Sequence, residues 1–310
     1  MSPLPSVPDL RVSIAGIELK NPVIAASGTL GYGVEFEDIV SLDKLGAIVV
    51  KGLSPEPMPG NPPPRVFETA AGMLNAIGLQ NIGVREFVSD KLPRLRRHKD
   101  VVVFANVFGA TITDYIEVIN ILNDSEGIAA YELNVSCPNT DAGGIFFGSD
   151  PGVLQELVFA ATRKAERPVI VKLSPNVTSI PQMALAAEHA GADAISLVNT
   201  FVAMAIDAET RKPRIANVTA GLSGPAIKPI ALRMVYEAAH AASIPVIGIG
   251  GITTATDVVE YMLAGATAVE IGTASFWDPV ATEKIVQALT NWCIEHRVEK
   301  ITDLTGGLQV

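Results

Sequence analysis

Cysteine is scarce in this chain of 310 residues: Cys137 and Cys293 are its only two. They stand far apart in no metal-like spacing, which argues against a disulfide scaffold or a structural zinc site and fits a reducing, cytoplasmic setting. Histidine is nearly as rare. His98, His189, His240 and His296 all fall in helix-like segments or their edges, so no bound metal is expected. An excess of positive charge is also missing. A formal net charge of -10 opposes a general nucleic-acid-binding role. No apolar run convincingly reaches membrane-spanning length, and the N-terminus lacks the basic start and continuous apolar stretch of a secretion signal. A soluble protein with no membrane attachment is the expectation.

What the chain does have is apolar content, 48% of its residues, enough for one large core or two ordinary ones. Short apolar runs recur at Pro22–Ala25, Ala47–Val50, Val101–Phe104, Ala129–Leu133, Pro168–Val171, Ala194–Val198, Ile244–Gly248 and Ala268–Ile271. Helix-like segments rich in Ala, Leu or charged residues separate them. Eight such strands predict an α/β fold, an eight-stranded β/α (TIM) barrel built as a single domain over residues 1–310 with no interdomain linker. Ahead of the first run, Arg11–Ile14 and Ile17–Lys20 flank Ala15-Gly16 and predict a small N-terminal hairpin that could close the barrel's bottom. Helices are expected at 151–165, 178–190, 225–240, 253–264 and 276–298, with Pro151 and Pro225 at early helical positions. Two intervals, Ser54 to Gly83 and Phe201 to Gly224, are rich in loop signals; loops this long are more often active-site lids or binding elements than neutral spacers, with surface embellishment as the alternative. Within the second, Ala203–Ile206 and Pro213–Ala216 could pair as a hairpin.

The strand ends carry polar residues where a plain core would want none. In a barrel that shared end is the catalytic face. Gly250, Gly251, Gly272 and Thr273 follow the last two strands, where closely spaced backbone amides can cradle a phosphate, although glycines also serve tight turns. Lys51 and Lys172 each end an apolar run. Turned inward, they could stabilise an anionic reduced ring, a carboxylate or a phosphate; turned outward, they would simply snorkel. Asn75, Asn106, Asn134, Asn139 and Asn199 supply donors and acceptors suited to a planar ligand with carbonyls and ring N–H groups. Cys137, in Asn134-Val-Ser-Cys-Pro-Asn139, is open to four readings: packed thiol, metal ligand, nucleophile or carbon base. As a base it would need a lowered thiol pKa or help from Ser136. Cys293 reads as core packing in a terminal helix.

Several segments together resemble the catalytic subunit of class 1B dihydroorotate dehydrogenases over almost the full length. They are Gly72–Asn81, Asn134–Asn139 with Gly143-Gly144 and Phe147-Gly148, Asn199-Thr200, Ala205 to Pro213, Ala216–Thr219 and Leu222–Pro229. The resemblance implies a non-covalent FMN at the barrel mouth, its phosphate near Gly224, Gly250, Gly251, Gly272 and Thr273. Ser27, Lys51, Asn106, Asn134, Lys172 and Thr200 would also contact the cofactor. Asn75, Gly78, Leu79, Asn134, Asn139, Asn199 and Thr200 would bind dihydroorotate and its product orotate. Cys137 would take a proton from C5 of the substrate while a hydride passes from C6 to the flavin. Ser136 and Lys172 complete the catalytic set, and the glycine-rich loop after Cys137 is expected to act as a lid.

The same resemblance implies a homodimer bound to two electron-transfer subunits that carry FAD and a 2Fe-2S cluster and pass electrons to NAD. Two cysteines are too few to hold that cluster in this chain. A class 1A enzyme reducing fumarate, or another pyrimidine oxidoreductase, is the alternative. Two positions depart from the class 1B pattern: Ala220, where a glycine is common, is expected to alter a tight turn, and Ile82, where proline is common, to loosen the exit of the substrate loop.

Overall fold

In the computed structural model, which describes residues 7–136, 138–139 and 145–310, eight parallel strands close into a barrel. They are β1 (Val23–Ala25), β2 (Ala47–Val49), β3 (Val103–Val107), β4 (Ala130–Asn134), β5 (Val169–Lys172), β6 (Ala194–Leu197), β7 (Val246–Ile249) and β8 (Ala268–Ile271). Each pairs with the next, and β8 returns to β1 through Val269 opposite Val23. Both faces of every strand are covered, so the strands read as nearly continuous apolar runs. Ile24, Ile48, Phe104, Leu133, Ile170 and Ile195 are almost fully buried. Each such side chain contributes roughly 1.5–3 kcal/mol to folding.

The helices that sheathe the barrel start where the local chemistry allows. Thr111 and Thr254 each form a capping box, with Asp114 and Asp257 respectively, and Asp150 and Ser179 cap the helices Pro151–Thr162 and Ile180–His189. The helix expected at 225–240 begins as a 3-10 turn, Pro225–Ile227, and continues as Lys228–Ala241. The one expected at 276–298 is divided. A short turn, Ala274–Trp277, ends at an extended Asp278 before Ala281–His296 begins. Pro279 is the cause, since the residue before a proline is pushed out of helical geometry.

The N-terminal hairpin pairs Val12–Ile14 with Ile17–Leu19 and runs into the start of β1, with Val12, Ile14 and Leu19 buried in the core. The two loop-rich intervals fold together. Val66–Thr69 and Gly72–Asn75 form a hairpin in the first, and Gly72–Asn75 also pairs with Thr219–Ser223 in the second, which in turn pairs with Phe201–Met204. This corrects the simple hairpin expected at 203–216: Ile206 does face Pro213, but Ala203 faces Ala220. A four-stranded sheet thus stands over the barrel and fixes residues from both intervals relative to each other. Among the described residues, no helix is long and apolar enough to cross a membrane.

Candidate active site

A cavity of about 600 Å³ opens where the barrel strands end, a size suited to a small-molecule site. Ser27, Lys51, Asn75, Gly78, Leu79, Asn106, Asn134, Ser136, Lys172, Asn199, Thr200, Gly224, Gly250, Gly251, Gly272 and Thr273 all line it. Residues spread over most of the sequence therefore meet at one place, as the barrel topology demands. Cys137 and the side chain of Asn139 lie outside the described residues.

One part of the wall is built of amides that hold one another. The Asn199 side-chain N–H donates to Asn134 Oδ1 at 3.2 Å and to Ser136 Oγ at 3.0 Å, while Asn199 Oδ1 accepts from the Thr200 backbone N–H. Tyr115 donates its hydroxyl to the Asn134 carbonyl at 2.7 Å, anchoring the end of β4. The residues flanking Cys137 on its N-terminal side are thus fixed from two neighbouring elements.

Another part is a glycine cradle. The backbone N–H groups of Gly251, Gly272 and Thr273 have no hydrogen-bond partner among the described residues. Gly250 and Gly251 take positive φ values of 135° and 68°, and a Cβ at Gly250 would come within 2.6 Å of Ala231 Cβ. Tyr261, buried on the helix Ala255–Leu263, donates its hydroxyl to the Gly250 carbonyl at 2.6 Å. The cradle is held open from below and presents unpaired donors, which suits a phosphate.

Two lysines supply positive charge by different means. The Lys51 ammonium has no ion-pair partner among the described residues, and burial, aided by Arg65, holds its pKa below the ordinary lysine value. Lys172 is buried in the barrel with the carboxyl groups of two glutamates. Its Nζ lies 3.0 Å from Glu270 Oε2 and 3.4 Å from Glu132 Oε1. Burial opposes the charge on Lys172, but the two carboxyls outweigh it and hold the pKa above the ordinary value. Glu132 also accepts from Asn106 Nδ2 at 2.7 Å and from Ser196 Oγ at 2.8 Å. Burial disfavours its ionised form too, yet Lys172 and these donors keep it below the usual carboxylate range.

Glu132, Glu270 and Ser196 were not among the residues expected at the site. The signal for the two glutamates is an acidic residue in the middle of an apolar run, in Ala-Tyr-Glu-Leu-Asn and in Ala-Val-Glu-Ile, where an unpaired charge would be prohibitive. The two departures also resolve. Ala220 lies within the strand Thr219–Ser223 rather than in a turn, and its methyl packs into a small cluster with Leu74 and Ile215. The glycine that this strand requires is Gly221, where a Cβ would sit 2.1 Å from Thr200 Oγ1. Ile82 ties the substrate loop instead of loosening it: its N–H, which proline lacks, donates to the Tyr32 hydroxyl at 3.1 Å. Tyr32→Phe is expected to lower stability by about 0.5–1.5 kcal/mol, read by chemical denaturation. A change no larger than the scatter of repeats would show that this bond contributes nothing.

A parallel barrel with a glycine cradle, two cations and a set of carboxamides at its mouth defines an enzyme class that binds a phosphate-bearing cofactor over the strand ends. The chain belongs to the dihydroorotate dehydrogenase family, whose profile matches residues 9–292. It is 60% identical over 302 residues to a protein of Solibacter usitatus provisionally named dihydroorotate dehydrogenase A (fumarate), covering 97% of this chain and 99% of that one. To the catalytic subunit of dihydroorotate dehydrogenase B (NAD(+)) from Pelobacter propionicus it is 53% identical over 302 residues, with the same coverage. For the corresponding subunit from Citrifermentans bemidjiense the identity is 52% over 303 residues, 98% of this chain and 99% of that one. Membership implies that this chain uses FMN, and the unpaired amides of the cradle beside two lysines fit that cofactor.

Proposed function

We propose that this chain is the catalytic subunit of a class 1B dihydroorotate dehydrogenase, which oxidises dihydroorotate to orotate and sends the electrons through a partner toward NAD. The convergence on one cavity of a phosphate cradle, two lysines and interlocked carboxamides supports this reading above any other observation. In the reaction dihydroorotate loses a proton from C5 and a hydride from C6. Bound FMN would supply the two-electron acceptor.

The chain's own groups do the rest. Gly224, Gly250, Gly251, Gly272 and Thr273 would hold the phosphate, with Ser27, Lys51, Asn106, Asn134, Lys172 and Thr200 around the ring system. Asn75, Asn134, Asn139, Asn199 and Thr200, together with Gly78 and Leu79 of the substrate loop, would orient the pyrimidine. Cys137 would accept the C5 proton as a thiolate, with the Ser136 hydroxyl beside it in sequence. Lys172, a cation at the cavity wall, would favour the negative charge that develops as electrons arrive.

FAD and a 2Fe-2S cluster would reside on a partner subunit, two of which would join a homodimer of this chain. The name of the Solibacter usitatus relative favours a second reading, with fumarate as the oxidant. The two separate in one experiment. The protein is reduced anaerobically with dihydroorotate and mixed with fumarate, with NAD, or with NAD plus a class 1B electron-transfer subunit. Reoxidation by NAD only when that subunit is present is the expected result, and rapid reoxidation by fumarate alone would establish the class 1A reading instead.

A further inference from the structure

Lys172 and its two carboxyl partners do not balance in charge. Glu132 enters the barrel interior from β4 and Glu270 from β8, and both reach the same ammonium. Glu132 is well supplied, with Asn106 and Ser196 donating to it as well as Lys172. Glu270 is not. Its Oε2 meets Lys172, but its Oε1 is buried and faces no donor among the described residues. A buried carboxylate oxygen that no protein group donates to is costly for a fold to hold. Protonation eases the problem, because a neutral Glu270 carries a proton to donate and the Glu132 carboxylate is its hydrogen-bonding neighbour.

We propose that Glu270 is a positioning residue: a buried, neutral carboxylic acid that donates its proton to Glu132 and leaves Lys172 paired with a single anion. The charged groups that face Glu270 are Glu132 from β4 and Lys172 from β5, while Asn106 from β3 and Ser196 from β6 are neutral neighbours of the cluster. Burial first, and then the Glu132 charge, push Glu270 above the ordinary carboxyl range, and Lys172, which pulls the other way, does not offset them. Two like carboxyls sharing one site behave in this manner generally. The consequence reaches the cavity. With Glu270 neutral the three side chains carry no net charge, whereas its ionisation would place a net negative charge beneath the ligand that Lys172 faces. Naming that ligand as FMN rests on the proposed function; the protonation of Glu270 does not.

Infrared spectra of the apoprotein and the FMN-loaded protein, in water and in deuterium oxide at neutral pH, test the proposal. Wild type is expected to show a carboxylic acid carbonyl band that shifts on deuteration. Glu270→Gln should abolish it. Glu132→Gln should abolish it too, because Glu270 then loses the neighbouring anion and becomes the sole counter-ion of Lys172. A pH profile supplies the readout that simple packing would not move. Glu270 is protonated when folded and ionised when unfolded near neutrality, so its contribution to wild-type stability should be complete below the ordinary glutamate pKa and decline as pH rises from there through the raised value. Glu270→Gln should lose that slope. The midpoint potential of bound FMN should fall more steeply toward alkaline pH in wild type than in Glu270→Gln.

A wild-type spectrum without the band, or a band that survives Glu270→Gln, would overturn the proposal. If Glu270→Gln does not fold, a wild-type spectrum without the band, or a band that survives Glu132→Gln, still overturns the proposal. Failure of dihydroorotate to reduce the protein would refute the functional reading and leave the band untouched.

Discussion

Lys172→Met is expected to lower stability by about 3–5 kcal/mol, the usual consequence of removing one member of a buried ion pair. The unfolding midpoint should fall by roughly 5–8 °C. Methionine preserves most of the side-chain volume, so the loss reports charge and not a cavity. Glu132, ionised in the native protein and fully buried, would be left without its counter-ion. The pH dependence identifies the cause. Without Lys172 the folded-state pKa of Glu132 rises above its unfolded value, so the deficit should be largest near and above neutrality. It should shrink as pH falls toward the ordinary carboxyl range, where both states are protonated. Thermal or denaturant unfolding of the apoprotein from pH 4.5 to 8 measures this without any reliance on activity. A deficit of equal size at every pH would mean that the lysine matters for packing alone.

The second large effect concerns Cys137. Replacing it with alanine is expected to slow the reduction of bound FMN by dihydroorotate about 10²- to 10⁴-fold, the usual range for losing a positioned general base. The flavin absorbance of the purified variant and the affinity for orotate should change little, since the proposed cofactor contacts come from other residues. Anaerobic stopped-flow at saturating dihydroorotate separates the two, because it reads the chemical step apart from binding. The pH profile adds a further check: the rise in rate that accompanies thiol deprotonation in wild type should be missing from Cys137→Ala. A variant that reduces its flavin at the wild-type rate would remove Cys137 from the mechanism.

The barrel is legible in the sequence because burial on both faces turns each strand into an apolar run, and the polar residues that end those runs mark the catalytic face. That logic brings Ser27, Lys51, Asn106, Lys172 and Thr273 to one cavity from five different strands. Other features depend on partners that no local pattern names. Glu132 and Glu270 are far apart in the chain, and each alone reads as an anomaly in a strand; only the barrel's closure brings both to Lys172. The pairing of Gly72–Asn75 with Thr219–Ser223 is equally non-local, so the two loop-rich intervals look independent until the sheet unites them. The role of Ile82 depends on a hydroxyl fifty positions earlier in the chain. Pro279 is different, since its break in the last helix follows from a local steric rule.

Whether this cavity holds FMN and oxidises dihydroorotate is decided by anaerobic titration of the purified FMN-loaded chain with dihydroorotate. The flavin absorbance is expected to bleach to an endpoint near one equivalent of dihydroorotate per FMN, with orotate formed in the same amount. A protein that retains its FMN and keeps its full absorbance in excess dihydroorotate would contradict the proposed function.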